Sequence, residues 1–351
     1  THPAFYDTSY TRYRIKSVWE QGGIGTAPTG FGYGAEYTDS ASIYDQVSDN
    51  VYQSHGTHVA AIAAGSGYSG PAADNEKFRG VAYNSDLVFV GLSRSDTVAW
   101  RDVLNGGGNS NYLDGINYIY DYASSVGKAA VVNLSWGNSL GSHDGTSLFS
   151  QACDNNSGPG KVFVASAGNS GATPRHLQKT FSPSDTIVNT FMNFNSGAER
   201  RVAIEAWGGS SQSFCVQFSL YHWNPFPMVY TTSATYCLDD QTQLITLVGT
   251  NGDTCFITLT TISNDLNGKP HMYMDIYSRV PNDLLISVTS QGGTLNMWSG
   301  YSYCCGGTFS TNSLPSIAVA GDALLTTSEQ SNSNSAISVG AYASKPSFTN
   351  I

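Results

Sequence analysis

The sequence predicts an α/β fold, a mostly parallel sheet with flanking helices, interrupted by an inserted antiparallel β-sandwich. Three observations carry this. Strand-like and helix-like stretches alternate with short connections up to about residue 172. From 185 to about 325 the helical period vanishes, and strand patterns separated by Asn-Gly and Gly-Gly turns take over. Buried-strand texture then returns in AISVGAY, 336–342. The expected boundaries are 1–172 and 328–351 for the α/β part, with 173–327 inserted at a surface loop.

The elements follow in order. SHGTHVAAIAAG (54–65) reads as a helix from 55 to 65 with Ala and Ile on a buried face. NSDLVFVGL (84–92) has the unbroken apolar run of a buried parallel strand. In YLDGINYIYDYASSVGK (112–128), Leu113, Ile116, Tyr120 and Ala123 recur at helical spacing, and Gly127 supplies a C-cap. AAVVNLSWG (129–137) is a second buried strand, SLFSQACDN (147–155) a short helix, and KVFVASAGNSG (161–171) a third strand. The sandwich strands are RRVAIEAWG, SFCVQFSLYHW, QLITLVG, CFITLTTIS, HMYMDIYSR and LLISVTS.

Composition narrows the function. Charged residues make up 12% of the chain, about half of the ~25% usual in soluble domains, a mix that suits an extracytoplasmic protein. A net charge of −10 argues against binding nucleic acid or anionic membranes, which require clustered Lys and Arg. No apolar run approaches the ~20 residues of a membrane span. The chain begins at Thr1 with no visible signal peptide and is read as a piece of something longer. None of the six cysteines shows C-x-x-C spacing, and five of them follow residue 210. Disulfides in that half, or free buried thiols, both fit.

The histidine pair His55 and His58 is the first chemical signal. A zinc peptidase helix places its ligands at i and i+4 with a Glu between them. Here the spacing is i, i+3 with Gly and Thr between, so neither ligand geometry nor base is supplied and no metal site is expected. Gly56 beside His55 instead leaves room for another backbone or a substrate.

SHGTHVAAIAAG resembles the histidine motif of the subtilisin-like serine proteases, the subtilases. The resemblance implies that His55 is the general base and His58 a structural neighbour. It extends to RGVAYNSDLVFV (79–90), similar to a G-V-A-P-x-A-x-L strand, with Tyr83 where Pro is usual. VVNLSWG (131–137) resembles the strand that pairs with substrate, which assigns that role to Ser135, Trp136 and Gly137. FVASAGNSG (163–171) resembles the A-A-G-N-x-G motif, which makes Asn169 the oxyanion donor. These motifs cover roughly 50–171 and 336–342. The chemistry is coherent: a serine hydroxyl needs an imidazole to take its proton, and the tetrahedral oxyanion needs preorganised donors.

Two members of the triad fall outside the chain in this reading. The family order is Asp, His, Ser. Asp7 begins D-T-S, but the opening T-H-P-A-F resembles the tail of the family's aspartate phrase, which places the catalytic Asp before Thr1. Asp39, Asp45 and Asp49 read as solvated carboxylates. Ser147, in GTSLF, precedes Asn169 and fits a non-catalytic helix start; the serine segment belongs after Ile351. The chain alone is therefore expected to be inactive.

The insertion resembles the jelly-roll sandwich of the clostridial germination proteases. His176 is read as a surface histidine, with a place on the active-site rim as the alternative. The aromatic residues of YHWNPF, Trp207 and Trp298 are read as core ahead of a ligand face. The resemblance implies a fragment of a secreted bacterial serine endopeptidase acting on proteins or peptides without a cofactor. Structural calcium is common in the family, yet no carboxylate cluster here forms a recognisable ligand loop. The alternatives are a pseudoprotease whose sandwich binds a protein or glycan, and, third, a metal hydrolase.

Overall fold

The computed structural model describes residues 2–46, 54–68, 78–92, 110–195, 200–223, 226–280, 283–301 and 305–342. The chain divides into two compact units, Thr1–Ser135 with Gly158–Val162, and Trp136–Ser157 with Phe163–Ile351.

The first unit contains β1 (Ile15–Glu20), β2 (Ala35–Tyr37), α1 (Ser40–Asp45), α2 (His55–Ala64), β3 (Leu87–Gly91), α3 (Ser110–Ser125) and β4 (Ala130–Leu134). β1 is central to its sheet, parallel to β3 (Val18 opposite Phe89, Trp19 opposite Val90) and antiparallel to β2. The sheet is thus mixed where a mostly parallel one is expected, because the short β2 returns along the free edge of β1. The motif reading passed over β1: Ser17 and Glu20 interrupt its apolar pattern, yet both are buried and Trp19 is wholly so.

Arg14 organises this unit. The residue is fully buried, and its guanidinium donates to four backbone carbonyls: Nε to Tyr6 (3.0 Å), Nη1 to Ser85 (3.0 Å), and Nη2 to Ala4 (3.1 Å) and Ala64 (2.5 Å). The Ala64 carbonyl is at the C-terminal end of α2, where the helix dipole favours a cation.

α2 corrects one expectation. Ala60 and Ala61 pack on the cluster of Phe5, Ile15 and Ile43, and Ala64 is buried, but Ile62 is 62% exposed. Small side chains make the close contact, and no described element covers the isoleucine side. α3 buries Tyr112, Ile116, Tyr120 and Ala123 along one face and is followed by Gly127, whose φ of +67° suits glycine.

The second unit starts with α4 (Leu148–Asn156), while β5 (Lys161–Ser166) passes from one unit into the other. Two six-stranded antiparallel sheets follow. One consists of β6 (His176–Phe181), β8 (Arg200–Trp207), β12 (Thr242–Val248), β13 (Thr254–Ile262), β14 (His271–Ser278) and β16 (Gly293–Gly300), in the order β12-β13-β14-β8-β16-β6. The other consists of β7 (Ile187–Phe194), β9 (Phe214–His222), β10 (Met228–Thr232), β11 (Tyr236–Cys237), β15 (Asp283–Ser290) and β17 (Gly307–Ser310). Its order is β10-β9-β15-β7-β17, with β11 on β9.

Strand alternation explains their core. Val202, Ile204 and Ala206 of β8, Ile257 and Leu259 of β13, and Met272, Met274 and Ile276 of β14 come from the first sheet. They join Val216, Phe218 and Leu220 of β9, and Leu284, Ile286 and Val288 of β15, from the second. Each such fully buried Val, Leu, Ile, Met or Phe side chain is worth ~1.5–3 kcal/mol. Cys215 and Cys237 are opposite one another on β9 and β11 and form a disulfide, while Cys153 and Cys255 are free and buried.

The last described strand, β18 (Ile337–Val339), pairs in parallel with β5. It is not the buried strand its apolar pattern predicts: Ile337 and Val339 are 54% and 51% exposed, and Val131 of β4 is 68% exposed. Their parallel-strand pattern anticipates cover on both faces, and among the described residues nothing covers these side chains.

Candidate functional site

In the first unit His55 is the first residue of α2, exposed, with Ser54 as N-cap. The helix begins there because the Ser54 carbonyl accepts the His58 N–H at 2.9 Å. Among the described residues, a Cβ on Gly56 would meet nothing within 4 Å. Asp7 is committed to its own turn: its carboxylate accepts the Thr11 N–H (2.8 Å) and the Ser9 and Thr11 hydroxyls (3.1 Å each), and these bonds lower it to about 2. Asp39 caps α1 through the N–H groups of Ala41 and Ser42, Asp45 is exposed, and Asp49 lies outside the described residues. Ser135 is partly buried, and its hydroxyl accepts a bond from the Asn133 amide at 3.0 Å.

In the second unit Trp136 and Gly137 lead directly into a clamp. Asn138 donates its N–H to Gln330 Oε1 at 3.0 Å and accepts the Glu329 N–H at 2.9 Å. One residue earlier, Ser328 donates its N–H to the Ala167 carbonyl at 3.0 Å and its hydroxyl to the Ser166 carbonyl. The turn around Glu329–Ser331 thus bonds both to the segment that follows Gly137 and to the segment that leads into Asn169. Asn169 itself is exposed, three residues beyond the end of β5. Gly137 must be glycine here, because a Cβ would fall 2.5 Å from the Ser328 Cβ.

The loop from 138 to 147 is laid over the outer face of the β8–β16 sheet. His143, at φ +53°, stacks on Trp298 with ring centroids 4.3 Å apart and 14° between the planes. Burial lowers its pKa to about 4, so at neutral pH the ring is neutral. Nε2–H donates to the Ser139 carbonyl at 3.0 Å, which leaves Nδ1 as acceptor toward the Asn332 amide at 3.4 Å. Asp144 accepts from Ser142, from the Thr146 N–H and hydroxyl, and from Lys269. Ser147 caps α4 by accepting the Ser150 N–H at 3.2 Å. Beneath the loop, Glu205 accepts from Trp207 Nε1 at 2.9 Å and from the Gly141 N–H.

Two expectations change. His176 is 1% exposed, neither surface nor rim: Nδ1 meets Asp322 at 2.8 Å and Nε2 meets Asn296 Oδ1 at 3.1 Å. An edge strand looks solvent-facing in sequence, but β6 is covered through the Asp322 segment. Trp298 and Trp207 are 2% and 8% exposed, in keeping with the core reading, whereas Trp223 and Phe226 of YHWNPF are 40% and 74% exposed and depart from it. Among the described residues no group of three or more His, Cys, Asp or Glu could hold a metal ion, and no helix is long and apolar enough to cross a membrane.

The model of the subtilase family matches residues 26–234, more than half of the chain. The chain belongs to the subtilase family. The solved structure of the CspB protease of Clostridium perfringens superposes with a TM-score of 0.70 at 18% identity, over 98% of this chain and 66% of that one. At that identity the likeness speaks for the fold. This subtilase chain therefore spans just under two thirds of the length of that relative.

Sequence reading missed Glu205, Glu329, Gln330 and the structural use of His143. A faint signal exists for Glu205: in RRVAIEAW it is an acid between Ala203 and Trp207 on one strand face. Glu329 and Gln330 sit in TTSEQSNSNS, which reads as featureless polar loop.

Proposed function

We propose that this chain is part of a secreted, extracytoplasmic bacterial subtilisin-like serine endopeptidase that hydrolyses peptide bonds in proteins or peptides without a cofactor. His55 is the general base that takes the proton of a serine hydroxyl. Asn169 donates to the oxyanion, and Ser135, Trp136 and Gly137 form the strand that pairs with substrate. The catalytic Asp and Ser belong to segments outside residues 1–351, so the chain by itself does not cleave. Residues 173–327 form an inserted jelly-roll-like sandwich that braces the protease part or restricts substrate access.

Family membership supports the reaction class. The observation that carries the site is the double clamp by Ser328–Gln330, which bonds at Asn138 and at Ser166–Ala167 and so ties the proposed substrate strand to the approach to Asn169. The exposed apolar side chains of Val131, Ile337 and Val339 support an incomplete sheet. The test is to sequence the coding DNA on both sides of codons 1 and 351 and to express the product. An aspartate motif upstream, a serine motif downstream and loss of peptide cleavage in His55→Ala are expected. Absence of either motif would turn the chain into a pseudoprotease and shift attention to the sandwich.

A further inference from the structure

The 138–147 loop rests on two glutamates that the proposed triad does not use. Glu329 is 1% exposed; its Oε2 accepts the His143 N–H at 2.9 Å, and the Ser147 and Asn332 side chains also favour its charged form, although among the described residues Oε1 has no partner within full hydrogen-bond geometry. Glu205, on β8, accepts the Gly141 N–H. Gly141 presses on the Glu329 carboxyl so closely that a Cβ would fall 2.4 Å from its Cδ, and its φ is +141°. Both carboxyls therefore meet the loop at one residue.

We propose that Glu205 and Glu329 form a protonation-gated latch that positions the substrate strand by holding the 138–147 loop. The substrate role of Trp136 and Gly137 rests on the functional reading above; the latch itself does not. Two carboxylates ionised together under one loop repel, and burial makes the Glu329 charge costly beyond what its hydrogen bonds offset. With one proton on the pair the loop is held by the bonds at Asn138, Gly141 and His143. With none, the like charges push Glu329 away and loosen the backbone bond that the same residue makes to Asn138.

The surroundings favour retention of that proton. Glu205 faces Glu329 from the clamp, Asp265 from the β13–β14 turn, and the Trp207 indole from its own strand. Asp265 is paired with His271 at 3.1 Å, and Lys269 is committed to Asp144. On the loop side stands His143, with His176 and its Asp322 partner next to it on Trp298. Burial first, then Glu329 and Asp265, raise the Glu205 carboxyl to about 7, and burial raises Glu329 as well.

Hydrogen–deuterium exchange on the full chain tests this, read on peptides from 138–147 and corrected for the intrinsic pH dependence of exchange. Protection of the loop should fall by about tenfold or more from about pH 6 to about pH 8.5, the factor that one pKa unit of differential interaction carries. Peptides from β15 should not change. Glu205→Gln should keep the loop as protected at the higher pH as at the lower. If that variant does not fold, Glu329→Gln serves, since its amide oxygen still accepts the His143 N–H. Loop protection independent of pH in the parent chain, or the same pH dependence in both variants, would overturn the latch. Neither outcome depends on protease activity, so a failed latch leaves the functional reading standing, and the reverse.

Discussion

Gly137 and Ser328 approach so closely that a methyl group on the glycine would lie 2.5 Å from the serine Cβ. That contact is rigid on both sides, since a Cβ cannot rotate away and Ser328 is bonded through N–H and hydroxyl to the Ala167 and Ser166 carbonyls. Gly137→Ala should destabilise the chain by about 1–3 kcal/mol, the usual cost of overpacking. Thermal unfolding measures this, and Ser328→Gly in the same background should recover part of the loss. A neutral Gly137→Ala would mean that the clamp yields.

Stability should fall with rising pH in a window set by Glu205. Its folded-state value of about 7 exceeds the ordinary 4.5. Between these values the folded chain holds a proton that the unfolded chain has released, so stability declines through the window and the loss is complete above it. Urea midpoints at about pH 5 and pH 8 should differ, and Glu205→Gln should remove most of that difference, at most ~3 kcal/mol. Equal pH sensitivity in the variant would assign the decline to other groups.

Arg14→Met should be severe. It removes the guanidinium donor from the carbonyls of Tyr6, Ala64 and Ser85 and leaves Ala4 with the Ser66 N–H alone. A loss of about 3 kcal/mol or more is expected, since each buried unmet acceptor costs ~1–3 kcal/mol. Circular dichroism and limited proteolysis should show the first unit opening first. Arg14→Lys should rescue little, because a point ammonium cannot serve four separated acceptors.

Ser147→Ala should act on a helix and leave chemistry untouched. Loss of the bond to the Ser150 N–H should cost ~0.5–2 kcal/mol. A serine-directed fluorophosphonate probe should label neither the parent chain nor the variant. Labelling that disappears in Ser147→Ala would make this serine a nucleophile and overturn its assignment as a cap.

What sequence could disclose here was local. The H-G-T-H pair and the S-A-G-N stretch are short motifs read from consecutive residues, and Gly127 announces its own helix end. The clamp is of another kind. Asn138 and Gln330 are 192 positions apart, and no periodicity connects them. Burial misled in both directions: Ile62, Ile337 and Val339 have core chemistry but no described cover, whereas Ser17, Glu20 and His176 are polar and buried because hydrogen bonds or neighbours take them in. Spacing reveals which face a side chain occupies; it does not reveal what lies against that face.

The carbonyl cage around Arg14 has a consequence for acid tolerance. A guanidinium held by a carboxylate is released when acid neutralises its partner, but backbone oxygens do not titrate in the range where proteins survive. The anchor of the first unit is therefore insensitive to protons, whereas the second unit stores a proton-dependent element in Glu205 and Glu329. Alkalinity, more than acidity, is the condition under which the two halves of this chain should part company in stability.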